Sequence, residues 1–202
     1  MPKFSAGERE KIYSLLMQNG EKLFNEKGFY AVTAEEVALS AGIAKGTFYH
    51  FFKNKEHLYM VINNSLQTSI FICLQEMLEK TENMPQTERF YRLLCYIMDA
   101  FIENPLISNI DAQVWERIKA KAPKACIDEN DARDLELVSM LEHSGFYFRY
   151  DLECTMKLLQ MQFVQMSYIH KETQGIELMK IVLKALAKHL LKEESSENSA
   201  TE

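Results

Sequence analysis

The chain has 202 residues, 47% of them apolar and 26% charged, a balance that suits a folded protein with a real core and excludes an intrinsically disordered one. A net charge of −6 excludes nucleic-acid binding by overall charge alone, and the apolar runs fall far short of the ~20 residues a membrane span needs. With only 7 Gly and 4 Pro, helical periodicity recurs almost everywhere and period-two alternation persists nowhere, so the fold class is all-α, with about nine helices.

Ile12, Leu16, Leu23 and Phe24 mark a first helix from about Glu8 to Lys27, with Asn19 interrupting the apolar stripe. Gly28 stops it. Thr33-Ala-Glu-Glu36 predicts a capping box, in which Thr33 accepts from the third helical N–H and Glu36 reaches back to the cap. Val32 and Val37 flank it as a hydrophobic staple. The second helix is therefore short, ending near Ala41, where Gly42 permits a tight turn. A third short helix follows over about Lys45 to Phe51.

Asn54 caps a fourth, long helix whose apolar pattern runs through Leu58, Ile62, Leu66, Ile70, Leu74 and Leu78. Pro85 suits the first turn of a fifth, which Asn104-Pro105 ends; a sixth carries Ile110, Val114, Trp115 and Ile118. Pro123 and the acidic stretch Asp128 to Asp134 are expected to break the chain before a seventh helix, Leu135 to His143. Asp151 caps an eighth, to about Glu172, and Gly175 separates it from a ninth, to about Lys192. Residues 193–202 have nothing to bury and are expected to be disordered.

The charge is uneven. Residues 1–60 hold 8 Lys+Arg against 7 Asp+Glu, and the remainder 15 against 22, a near-neutral head on an acidic body. Cys73, Cys95, Cys126 and Cys154 form no C-x-x-C, and with no signal peptide they read as reduced thiols in a cytosolic protein. Asn63-Asn64-Ser65 matches the glycosylation pattern, which has no meaning without secretion. The acidic stretch lacks the Gly and the terminal Glu of a calcium loop, and the five histidines have no metal-ligand spacing with the cysteines. No nucleophile elbow, phosphate loop or dinucleotide fingerprint occurs, so no cofactor and no enzyme activity is expected.

The densest aromatic cluster, Phe48 to Phe52, lies between Lys45 and the pair Lys53 and Lys55. At about 100° per residue, Phe48, Phe51 and Phe52 share one side of the third helix, while Lys45, Thr47, Tyr49 and His50 reach the other and Gly46 allows close backbone approach. Two short helices joined by a glycine turn, behind a longer one, outline a helix-turn-helix unit. The outward set suits a DNA major groove: lysine for phosphate or guanine, and threonine with a hydroxyl and a methyl. Lys55 stands in the first turn of the fourth helix, whose N–H groups attract a phosphate. Solvated surface charge is the plain alternative for the lysines.

These residues resemble the TetR family of transcriptional regulators over roughly residues 8 to 60. The likeness is carried by Leu23-Phe24, Gly28-Phe29, Thr33, Val37-Ala38, Ala41-Gly42-Ile43, Lys45-Gly46-Thr47-Phe48-Tyr49 and Phe52-x-x-Lys55-Glu56-x-Leu58. The resemblance implies a helix-turn-helix head at 1–54, a helical ligand-binding and dimerisation body at 55–192, and a ligand-released repressor bound to palindromic double-stranded DNA. It places Thr33, Lys45, Thr47, Tyr49 and Lys55 where the family contacts DNA, mostly phosphates, and His50 at a variable position that often reads bases. Two departures stand out: Ala44 where a Ser or Thr commonly caps the third helix, and Phe51 where His or Tyr is usual. Gly20 in place of the usual Ala is expected to soften the first helix slightly. With those departures, a helical small-molecule-binding or interaction protein with weakened DNA binding is the alternative.

The eighth and ninth helices are apolar on more than one side, which calls for burial on both faces or a partner; a homodimer through a four-helix packing of these two answers it. Met140, Met156, Met161, Met166 and Met179 read as core filler, though methionine also suits a cavity for varied apolar ligands. Tyr96, Phe101, Trp115 and Phe163 are the candidate lining of a largely apolar ligand site, each with ordinary core as its alternative.

Overall fold

The computed structural model describes residues 4–169 and 171–192. The expected disorder of 193–202 lies outside the described residues. Ten helices occur among them: α1 (Ala6–Ala31), α2 (Ala34–Ser40), α3 (Lys45–Phe48), α4 (Lys55–Lys80), α5 (Gln86–Glu103), α6 (Pro105–Ser108), α7 (Ala112–Lys121), α8 (Lys124–His143), α9 (Leu152–Ile169) and α10 (Gly175–Leu190). An isolated antiparallel bridge joins Phe148 to Leu191. No helix among the described residues is long and apolar enough to cross a membrane.

The caps explain the boundaries. Ser5 and Glu8 form a full capping box that starts α1 ahead of the expected Glu8: the Glu8 N–H donates to Ser5 Oγ at 3.3 Å and the Ser5 N–H to Glu8 Oε2 at 2.8 Å. Gly28, at φ 74° and ψ 165°, interrupts α1 where the sequence predicts its stop. Thr33 caps α2 by accepting from Glu36 N at 3.1 Å, but Glu36 does not reach back. Its carboxylate is held by Lys27 on α1, and that hydrogen bond keeps its pKa below the usual carboxylate range. Val32 and Val37 are both fully buried. Asn54 Oδ1 accepts from His57 N at 2.7 Å and Asp151 Oδ1 from Cys154 N at 2.8 Å, as expected of the caps of α4 and α9.

Two expectations are corrected. Pro105 does not merely end α5; it opens the short α6, which makes ten helices rather than nine. The acidic stretch Asp128 to Asp134 is helical, inside α8, where basic residues one turn away pair with two of its four carboxylates: Lys124 with Asp128 at 3.1 Å and Arg133 with Glu129 at 2.6 Å.

The chain divides into two compact units. The first takes the described residues of Met1–Cys73 and Asp99–Arg133, the second those of Leu74–Met98 and Asp134–Glu202, so α4, α5 and α8 each contribute to both. In the first, Leu16, Phe24, Phe29, Val37, Phe48, Phe52, Leu58 and Tyr59 belong to one core cluster. The Tyr59 ring meets Phe24 and Phe29 edge-on at 5.5 Å, and its hydroxyl donates to the Leu106 carbonyl at 2.9 Å. In the second unit Phe90 packs against Phe146 and Phe148. There the buried Arg89 guanidinium lies 4.8 Å above the Phe146 ring and donates to the carbonyls of Leu78 and Ser144, near the C-termini of α4 and α8.

Candidate nucleic-acid interface

The turn between α2 and α3 is built locally. Gly42 takes φ 71°, a conformation L side chains rarely adopt, and Ile43 N–H returns to the Ala38 carbonyl at 3.0 Å. Asn19, whose break in the apolar stripe of α1 is explained here, donates from Nδ2 to the Ser40 carbonyl at 2.8 Å and ties the end of α2 to α1. The third helix then starts at Ala44 with no side-chain cap. Its helical hydrogen bonding ends at Phe48, with turns continuing through Phe51.

Phe48 and Phe52 point inward, fully buried, and they anchor the helix. The Tyr13 ring on α1 stacks on Phe52 at 5.6 Å. Phe51 departs from the expected inward trio: it is half-buried, with the Arg9 guanidinium 5.5 Å from its ring. On the opposite side Lys45, Gly46, Tyr49 and His50 are exposed, Tyr49 by 51%, and Thr47 is half-buried. A Cβ added at Gly46 would meet nothing within 4 Å, so the backbone there faces open space. Lys45 Nζ pairs with Glu35 Oε2 at 2.9 Å, and this hydrogen bond raises its pKa. Both groups are exposed, and such pairs are weak enough to exchange for a phosphate. Thr33 sits exposed at the start of α2, its hydroxyl already accepting from Glu36 N.

Lys55 is placed differently from the phosphate-facing position its sequence context suggests. Its ammonium donates to the carbonyls of Phe29 at 2.7 Å, Val32 at 2.8 Å and Tyr30 at 3.3 Å, and lies 4.5 Å from the centroid of the Phe29 ring. These carbonyls are left over where α1 ends, and the lysine satisfies them. Burial, then the nearby Arg117 charge, lowers its pKa. Beside it, the buried Glu56 carboxylate pairs with Arg117 of α7 at 3.2 Å, and the Arg117 guanidinium lies near the rings of Phe29 and Tyr30. Asn25 Oδ1 accepts from the Leu106 N–H at 2.7 Å, joining α1 to α6. Nothing in the spacing of the chain marks Arg117, Glu56 or Asn25, because their partners are 61 and 81 residues away.

The ligand candidates are not brought together in one unit. Phe101 and Trp115 belong to the first unit and are half-buried; Tyr96, also half-buried, and Phe163 belong to the second. The Phe163 side chain lies outside the described residues. The second unit carries a cleft of about 550 Å³ lined by Pro85, Thr87, Arg149, Ala185, Lys188, His189, Leu191 and Lys192, which includes none of the four. Among the described residues no group of three or more His, Cys, Asp or Glu could hold a metal ion. On α9 and α10 of the single chain, Met161, Leu178, Ile181 and Val182 stand exposed, Ile181 by 67%.

Residues 16–61 match the family described as bacterial regulatory proteins, tetR family. The uncharacterized HTH-type transcriptional regulator YhgD of Bacillus subtilis (strain 168) is 34% identical over 90 residues, 42% of this chain and 44% of that protein. The transposon Tn10 TetC protein of Escherichia coli is 46% identical over 49 residues, 24% of this chain and 25% of that one. The chain thus spans less than half the length of the curated relatives it matches. A TetR transcription regulator from Haloarcula marismortui ATCC 43049 superposes with a TM-score of 0.66 over 91% of this chain and 100% of that one; at 18% identity, the likeness is one of fold.

Proposed function

We propose that the chain, whose residues 16–61 match the TetR family of bacterial regulatory proteins, is a DNA-binding transcriptional repressor, not an enzyme. It binds a palindromic operator as a homodimer and is released by a small molecule. The observation that carries this reading is the division of α3 and its following turn: Phe48 and Phe52 are buried while Lys45, Gly46, Tyr49 and His50 face out. Lys45 and Thr33 are assigned to phosphates, Thr47 and Tyr49 to phosphate or base edges, and His50 to a base edge. Lys55 enters as a positioning residue that holds the first turn of α4 against the end of α1.

Residues 1–54 form the reading head and 55–192 the body that dimerises and takes the ligand, with Phe101 and Trp115, which share the first unit, as contacts for its apolar part. Dimerisation through α9 and α10 covers their exposed apolar side chains and doubles the few base contacts one short helix supplies. The continuous α4 carries the regulation: a ligand that displaces it changes the spacing of the two recognition helices. Ala44, with no cap bond, and Lys55, already engaged, favour a second reading in which DNA binding is weak and ligand or partner binding is the activity.

Fluorescence anisotropy with duplexes selected from a random pool separates the two. Tyr49→Ala and Thr47→Ala are each expected to lower affinity about tenfold at fixed salt. Failure of the wild-type dimer to retain any duplex at low ionic strength removes the first reading. A true inducer must weaken operator binding by the same factor by which the operator weakens inducer binding.

A further inference from the structure

Four amide side chains sit together where α4 meets the front of α8 in the first unit, away from the proposed DNA face. Asn63, Asn64 and Asn130 are 4, 4 and 5% exposed, and Gln67 is half-buried one turn along α4. Burial of Asn63 removes it as a glycan acceptor in the folded chain. Asn63 Nδ2 and Gln67 Nε2 both donate to Asn130 Oδ1 at 3.0 Å, and Asn64 Nδ2 donates to the Cys126 carbonyl at 3.0 Å. These bonds orient the amides of Asn64 and Gln67. Their side-chain oxygens are shielded from solvent and have no hydrogen-bond partner among the described residues. An empty buried acceptor costs more than an ordinary hydrogen bond returns, so an interior rarely keeps two near each other with nothing to fill them.

The two oxygens lack donors. Asn130 Oδ1 already accepts twice. The Arg133 guanidinium donates to the Asn64 backbone carbonyl at 2.6 Å and to the Thr68 hydroxyl, and pairs with Glu129 at 2.6 Å. Its positive charge on this turn of α4 disfavours a second cation. Residues 64 and 67 are offset about 4.5 Å along the helix axis. Cys126 and Ile127, half-buried on α8, belong to the apolar wall of this unit.

We infer that Asn64 Oδ1 and Gln67 Oε1 form the polar end of the small-molecule site, and that its ligand is a neutral, mostly apolar molecule with two hydroxyl or amide N–H donors about one helical turn apart. The inference rests on the ligand-responsive reading and names its ligand class. A trapped water bonded to both oxygens is the rival occupant.

The test is calorimetric titration of the full chain with straight-chain diols, propanediol to hexanediol with a hydroxyl at each end, and with the dimethyl ether of each. Diol and diether share a carbon chain and two oxygens, but only the diol donates. At one chain length the diol is expected to bind about tenfold tighter than its diether, the worth of two neutral hydrogen bonds. Gln67→Met and, independently, Asn64→Leu each remove one acceptor at similar size and are expected to erase most of that preference, their folding checked by a cooperative unfolding transition. Equal affinity for both members of every pair, absence of binding throughout, or a preference that survives both substitutions overturns the inference. So does a crystal of the diol-soaked chain with a water still bridging the two oxygens. No DNA enters this readout, so intact operator binding beside a failed titration rejects the ligand class alone, and failed operator binding rejects the parent reading.

Discussion

An ammonium group has three protons, and those of Lys55 all meet carbonyl oxygens at the end of α1. Lys55→Met is therefore expected to cost about 1.5–3 kcal/mol in urea unfolding, the range for hydrogen bonds to a charged group. The same variant should leave the slope of log K against log salt for DNA binding unchanged; a fall of about one would mean that the lysine releases the carbonyls and takes a phosphate. His57 makes a second prediction. Its Nδ1 accepts from the Lys53 N–H at 3.0 Å and its ring packs edge-on against Phe52, so burial, then the Lys53 charge, lowers its pKa below 6.5. The fold favours the neutral ring. Its contribution is therefore complete above pH 6.5 and is lost as pH falls through the lower folded value. Urea titrations across that window should show the wild type losing stability that His57→Gln retains.

Among the elements, α1 and α4 cross at Gly20. A Cβ there would lie 2.9 Å from Leu58 Cδ2 and 3.1 Å from Ile62 Cδ1, and both side chains are buried. Its expected softening of α1 is thus opposed by a packing role. Gly20→Ala gains about 1 kcal/mol of helix propensity but meets an overpacking cost of about 1–3 kcal/mol. A net loss is expected, read as a lower midpoint in denaturant; a raised midpoint would show that Leu58 and Ile62 yield freely. Elsewhere the elements follow their signals. Gly28, Gly42, Asn54 and Asp151 act within one helical turn of where they stand, so residue type and position suffice to read them. The acidic stretch of α8, expected to break the chain, is the exception: its helical signal lay in Lys124 and Arg133, four residues from Asp128 and Glu129.

At the scale of the molecule, the proposed assembly runs through α9 and α10. Leu178, Ile181 and Val182 lie on α10 and Met161 on α9, all exposed in the single chain. A stable homodimer that covers them would bury on the order of 2,000 Å² or more. Ile181→Asp places a charge in that surface at a side chain 67% exposed in the single chain, so folding of the protomer should survive. Sedimentation is expected to show the mass falling from two chains to one, with affinity for a palindromic duplex lost in step. A variant that stays dimeric would move the interface elsewhere.

The sequence by itself determined the helical class, most helix starts and stops, the buried Phe48 and Phe52 and the outward Lys45, Tyr49 and His50, because each depends on neighbours within a turn or two of chain. Only the tertiary structure decided that Lys55 closes the end of α1, that Lys27 takes the Glu36 carboxylate from its cap, that Arg117 meets Glu56, and that the buried oxygens of Asn64 and Gln67 find no partner among the described residues. Those outcomes turn on which of several chemically equal lysines, arginines or amides arrives beside a given group. Folding sets that arrival through distant packing, which no local spacing records.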